Sequence, residues 1–149
     1  MATVQRVLQE CGEEMFMRYN QLHWATPLSI NIIVEEALTK EVYLVADEKN
    51  SVIATFNMSE SPSMYFDTDK KALYFQRLGV IPSLWRRGVG SRLFEMIEER
   101  ARRDGYECIR CTVYSESRNA VNFLKKHGFK TLYKRPSKHF ILFCMEKEL

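Results

Sequence analysis

The sequence predicts an α/β fold of the α+β kind. Its sheet is mixed: mostly antiparallel at the edges, parallel at the centre, and flanked by helices. Three observations carry this expectation. Strand-type apolar runs fall in neighbouring pairs, 42–47 with 52–58 and 129–133 with 140–147, close enough to pair antiparallel. A β-rich run at 72–80 is followed by a helix-period segment and then a second β-rich run at 106–114, and a strand–helix–strand crossover makes its two strands parallel. The chain of 149 residues has no repeat, low-complexity tract or linker, so a single domain over 1–149 is expected, long enough to bury a continuous core.

From the N-terminus, Val7, Cys11, Met15, Tyr19 and Leu22 recur at helical spacing and predict a helix over 12–23. Val4 and Val7 do not alternate, so residues 2–8 stay open between strand and non-strand. A second helix is predicted over 30–39, after Pro27. Strands at 42–47 and 52–58 are joined at Lys49-Asn50-Ser51, and the polar stretch 59–71 reads as a surface loop. The helix from Val89 has the clearest pattern: Val89, Leu93, Ile97 and Ala101 form one stripe, with Met96 beside it. Arg102 and Arg103 suit its negative end, and Gly105 stops it. Ser117 is placed to cap a last helix that ends at His127-Gly128. Residues 134–139 separate the final two strands.

Composition excludes several classes. With 46% hydrophobic and 28% charged residues the chain is neither disordered nor membranous. No apolar run approaches a membrane span, and the start Met1–Arg6 lacks the apolar core of a secretory signal; a cytoplasmic protein with no membrane partner is expected. A net charge of +3, concentrated at one turn and at helix ends, gives no nucleic-acid footprint. Cys108 and Cys111 show C-x-x-C spacing, but in a strand residues i and i+3 face opposite ways. Together with Cys11 and Cys144 they read as buried free thiols in a reducing compartment, with no metal site.

The chemistry concentrates at residues 77–91, Arg-Leu-Gly-Val-Ile-Pro-Ser-Leu-Trp-Arg-Arg-Gly-Val-Gly-Ser. A strand end meets Pro82, a turn carrying Gly88 and Gly90, and then a helix. The first amides of a helix lack intrahelical partners and carry partial positive charge, and glycines let a ligand approach them. Arg86 and Arg87 add full charges, so the unit is suited to phosphate oxygens. A Walker loop needs four residues between its glycines and a following Lys-Ser/Thr, and a Rossmann fingerprint needs a third glycine where Leu93 stands. Neither fits.

What the stretch resembles is motif A of the GNAT-superfamily N-acyltransferases: a hydrophobic-Val-x-Pro strand end followed by Gln/Arg-x-x-Gly-x-Gly/Ala. Here the strand end is Leu78–Pro82 and the turn is Arg86-Arg87-Gly88-Val89-Gly90, with Trp85 where the family usually has Gln or Arg. Residues 117–129 resemble motif B, with Ala120, Gly128 and Phe129 in place, Ser117 for its Asn and Leu124 for its Tyr. The resemblance covers about Tyr43 to the C-terminus. It implies a GNAT-like fold whose central parallel strands splay apart after Gly79, and acetyl-CoA as co-substrate without a metal. It implies cofactor contacts at Leu78, Gly79 and Val80, along Arg86, Arg87, Gly88, Val89, Gly90 and Ser91, and at Ser117. The pantetheine arm would pair with the strand end as an added strand, and the Val80 amide would serve as oxyanion donor.

The implied activity is transfer of an acetyl group from acetyl-CoA to a primary amine of a small molecule or peptide. The alternative is a non-catalytic acyl-CoA-binding module or sensor, because Leu124 replaces the thiolate-protonating Tyr and Thr112 replaces a Glu used as base in one branch. Tyr114, two residues beyond Thr112 on the same strand face, is the candidate proton donor, set against plain aromatic packing. Glu116 and His127 are weaker candidates. Asp67 and Asp69 are placed to attract a cation, or simply to solvate a loop. Leu22-His23-Trp24 with Pro27 line either an acceptor cleft or the core. Acceptor identity and oligomeric state, a homodimer included, stay open.

Overall fold

The computed structural model describes residues 1–62 and 64–149, so Ser63, within the expected 59–71 loop, lies outside the described residues. Six strands form one sheet in the order β1-β2-β3-β4-β6-β5: β1 Glu41–Ala46, β2 Val52–Glu60, β3 Ala72–Val80, β4 Cys108–Tyr114, β5 Lys130–Ser137 and β6 Phe140–Glu148. The helices are α1 Ala2–Tyr19, α2 Ile30–Thr39, α3 Val89–Arg103 and α4 Arg118–Lys126, with short 3-10 turns at Leu22–Trp24 and Pro82–Leu84. β3 and β4 run parallel, in register from Ala72↔Cys108 to Tyr74↔Arg110, whereas β1–β2, β4–β6 and β5–β6 are antiparallel. The mixed sheet with parallel central strands is the predicted one. The chain divides into two compact units, Met1–Ser59 with Arg77–Gly90, and Glu60–Gln76 with Ser91–Leu149.

In the first unit, α1 corrects the sequence reading at both ends. It begins at Ala2, so residues 2–8 are helix, and Val4, Val7 and Leu8 are buried along its inner face. It ends at Tyr19, four residues before the expected end, because Asn20 adopts φ 51° and its amide returns to Phe16 O at 3.0 Å. Gly12 sits in the helix interior, a place that costs about 1 kcal/mol relative to Ala. The reason is packing: a methyl at Gly12 would lie 2.7 Å from Trp24 Cε3, so the indole rests against the bare backbone. α2 occupies the predicted residues, with Ser29 as N-cap accepting from the Ile32 amide. Val4, Leu8 and Ile33 pack together with Leu28 and Val42, and Tyr43 stacks on Phe56 with centroids 4.9 Å apart.

In the second unit, α3 buries Leu93, Phe94, Ile97 and Ala101. The stripe is turned toward Phe94 and away from Met96, which is 47% exposed. Phe94 meets Phe75, Phe123 and Phe129 edge to face, a geometry that adds about 0.5–1.5 kcal/mol per pair beyond area burial. Gly105, at φ 72°, closes the helix as predicted, and the Tyr106 amide reaches Ala101 O at 2.9 Å. β5 runs through 134–137, where the sequence predicts a connection, and only Lys138 (φ 52°) and His139 turn the chain. Pro136 is tolerated because β5 is an edge strand.

Arg110 is among the largest fully buried side chains. Its Nε donates to Glu146 Oε2 at 2.8 Å, its other nitrogens reach Thr68 and Ser61, and its guanidinium lies over the Phe66 ring. Ser61 and Thr68 are therefore held by a charge inside the sheet. All four cysteines are buried and free, as read from the sequence. Burial raises the Cys11 and Cys108 thiols to about 11 and pushes Cys111 higher still.

Candidate functional site

In the first unit, β3 ends at Val80 and the chain turns through Pro82–Leu84 into Trp85. Arg86 (φ 60°) and Gly88 (φ 80°) are both left-handed and flank Arg87, and α3 starts at Val89. Alternating backbone hand of this kind turns successive amides toward one side, the geometry of an anion-binding concavity. A methyl at Gly88 would meet nothing within 4 Å; its glycine is required by backbone conformation, and the space beside it is open. Arg86, Arg87 and Gly88 are exposed, and the first turn of α3 contains no acidic residue. The Trp85 indole donates to Val80 O at 2.6 Å, so this residue, the departure from the motif, ties the turn to the strand end.

Gly79 shows which neighbour requires its lack of a side chain. A methyl there would lie 3.1 Å from Leu8 Cδ2 and 3.9 Å from Cys11 Cβ, both on α1. The close approach is to helix α1. Burial pushes the Cys11 thiol up to about 11, against a hydrogen bond from the Val80 backbone that favours the thiolate. Arg77, two residues before Gly79, holds φ 56° inside the strand, a conformation costing about 1–3 kcal/mol in a non-glycine residue. Glu36 anchors it: Arg77 reaches Glu36 Oε1 at 3.0 Å. Lys40 and Asn57 also hold that carboxylate. Burial pushes the Glu36 carboxyl up, yet the bonds and charge of Arg77 and Lys40 outweigh it and keep it below the ordinary glutamate range. Arg77, Trp24 and Pro27 line a cavity against α1, with Leu8, Glu13 and Phe16. Of the expected cleft residues, Trp24 and Pro27 line it, while His23 and the exposed Leu22 do not.

In the second unit, the Tyr114 ring packs on Phe140 with centroids 5.2 Å apart, and its carbonyl accepts from the Ser117 amide at 2.9 Å. Ser117 is the N-cap residue of α4 but makes no side-chain cap bond, which corrects the capping expectation. Ser91 Oγ lies 3.0 Å from His127 Nε2, linking the start of α3 to the end of α4. Burial lowers the His127 pKa, the Lys126 charge adds to that, and Glu95 opposes it. Leu124 is buried in the core. The Thr112 hydroxyl is engaged by Tyr74 Oη at 2.6 Å. Asp67 pairs with Arg135 at 3.0 Å, which offsets the loop's acidity. The structure thus assembles Leu78–Val80 with the Arg86–Gly90 turn in the first unit, and Tyr114 with Ser117 in the second. The Arg77–Glu36 pair, the Tyr74–Thr112 pair and the Cys11–Val80 contact were missed, since residues so far apart in sequence carry no shared local pattern.

The acetyltransferase (GNAT) family model matches residues 4–129, and the chain belongs to that family. Solved structures agree in fold. Chaetomium thermophilum Naa20, in complex with a bisubstrate analogue, superposes with TM-score 0.69 at 16% identity, covering 97% of this chain and 81% of that one. An Elizabethkingia anophelis GNAT acetyltransferase with acetyl-CoA bound gives 0.64 at 15% identity over 81% and 84% of the two chains. The IAA acetyltransferase of Bacillus cereus gives 0.65 at 17% identity over 81% and 85%. No curated protein matches the chain. Among the described residues no helix is long and apolar enough to cross a membrane.

Proposed function

We propose that this chain transfers an acetyl group from acetyl-CoA to the primary amine of a small molecule or peptide. One observation carries the cofactor assignment: the turn from β3 into α3 presents two left-handed residues, two exposed arginines and an acid-free helix start. Pyrophosphate fits such a set, because the amides and the helix dipole favour anions and nothing local repels them. Family membership supports the same cofactor.

Leu78, Gly79 and Val80 would hold the pantetheine arm, and Arg86, Arg87, Gly88, Val89, Gly90 and Ser91 the phosphates, with Ser117 as a further contact. Bound acetyl-CoA supplies an activated thioester. The Val80 amide is the donor for the oxygen that gains charge; its present partner, the Cys11 thiol, is a weak acceptor. Orientation of the amine provides most of the acceleration. Tyr114 is the proposed proton source for the leaving thiolate, since Leu124 has no proton to give.

Buried Leu124 also favours a second reading, an acyl-CoA sensor without turnover. The experiment is thiol release from acetyl-CoA across amines, polyamines, amino acids and peptide N-termini, paired with thermal shift. A ligand at about 100 times its Kd stabilises by ~2.7 kcal/mol. An unmoved midpoint refutes both readings, while a shift without thiol release for any amine leaves the sensor.

A further inference from the structure

The cavity on α1 restricts what the acceptor can be. This inference rests on the acetyltransferase reading for the place of the reacting nitrogen. Leu8, Gly12 and Phe16 recur at i, i+4 and i+8, so they form one stripe of the helix, and the Trp24 ring lies against that stripe at Gly12. The cavity is partly open and has a volume of about 90 Å³. That is smaller than the ~150 Å³ of a protein cavity known to admit benzene, so a narrow aliphatic stem is the better-matched occupant. One end of the cavity is the β3 wall, where Arg77 lines it and Leu8 meets Gly79. Glu13 also lines it, about 7.5 Å farther along the helix axis than Leu8 at ~1.5 Å per residue.

The two charges in the lining differ in kind. Arg77 is compensated by Glu36 at 3.0 Å. Glu13 is exposed and accepts a neutral hydrogen bond from Gln9 Nε2 at 2.9 Å, which leaves most of the carboxylate's acceptor sites available. A largely apolar lining with an exposed carboxylate in it complements a polymethylene chain ending in a second cation.

We propose that the acceptor is an aliphatic α,ω-diamine, or the terminal segment of a longer polyamine. One nitrogen lies at the end of β3, the methylene stem fills the cavity beside Trp24, and the distal ammonium sits on Glu13. In the reaction the N–C bond forms as the thioester C–S bond breaks. The reacting ammonium gives up two protons: one ends on the coenzyme A sulfur and one in solvent.

The test uses the full chain and two readouts. Trp24 fluorescence, with Trp24→Phe as control, follows binding of diamines from diaminopropane to diaminohexane without acetyl-CoA; kcat/KM is then measured with it. Each buried methylene tightens binding about fourfold until the stem spans the cavity. A diamine exceeds the monoamine of equal length by about 1.4- to 5-fold, the range of an exposed ion pair. Glu13→Gln removes that gap and keeps the acetyl-CoA thermal shift. Length-independent binding, equal binding of monoamine and diamine, or preference for an ω-amino acid overturns the proposal. Diamine binding without any acetyl-CoA shift refutes the transferase reading alone. An acetyl-CoA shift with acetylation that ignores chain length refutes the diamine pocket alone.

Discussion

Gly79→Ala separates two roles for one glycine. Its φ lies outside the left-handed region, so alanine can adopt the backbone, and reduced freedom of the unfolded chain alone would stabilise by about 0.4–1 kcal/mol. Packing opposes this. The new methyl lies 3.1 Å from Leu8 Cδ2, and Leu8 is itself held between Val4 and Ile33. Overpacking a closed site costs about 1–3 kcal/mol, so the net change is roughly 0–2.6 kcal/mol destabilising. For a chain of this size that lowers Tm by about 2–4 °C per kcal/mol. Thermal and urea unfolding measure it in the wild type and in a Leu8→Ala background, where the clash is gone. There Gly79→Ala should be neutral or stabilising, a coupling of about 1–3 kcal/mol between the two sites. Acetyl-CoA affinity should follow global stability. If Gly79→Ala has the same cost in both backgrounds and abolishes acetyl-CoA binding in a folded protein, the close approach belongs to the ligand and the assignment to α1 is wrong.

Gly90→Asp and Arg87→Glu each place negative charge at the start of α3, and titration with acetyl-CoA should show sharply weaker binding with circular dichroism unchanged; full affinity in folded Gly90→Asp moves the site elsewhere. Tyr114→Phe removes only a hydroxyl, so a drop in kcat within the ~10²–10⁴-fold range of a general acid, with affinity intact, supports Tyr114. Near-wild-type turnover would instead assign the proton to water. Arg110→Met removes the buried ion-pair partner of Glu146, leaving Lys70 at 3.1 Å, and should cost about 3–5 kcal/mol near neutral pH. Burial pushes the Glu146 carboxyl up, but bonds from Arg110 and Lys70 outweigh it and hold it below its ordinary value. Its contribution is therefore complete above the unfolded pKa of about 4.3 and is lost as pH falls through the lower folded value. Urea titrations from about pH 5 to about pH 2 should show a shallower acid limb for Arg110→Met; parallel curves would remove Glu146 as the titrating group. At about pH 8 the thiols of Cys11 and Cys108, raised to about 11, should resist alkylation until the chain unfolds.

By itself the sequence determined the local features: α2, β3 and the helix after Gly88, the parallel crossover, and the family through Leu78–Pro82 and Arg86–Gly90. These are legible because period, glycine position and turn chemistry act within a few residues. Tertiary structure decided the rest. Gly12 reads as a weak point in a helix until Trp24 is seen resting on it, and residues 2–8 become helix because Val4 and Leu8 have Ile33 to pack against. Arg110 would be an improbable strand residue without Glu146, thirty-six positions away, at 2.8 Å. Arg77 keeps its left-handed backbone while bound to Glu36, and the cavity lined by Glu13, Trp24 and Arg77 exists only where α1, the Trp24 turn and the strand meet. Each of these depends on desolvating or packing groups far apart in the chain, an energy with no sequence period to announce it.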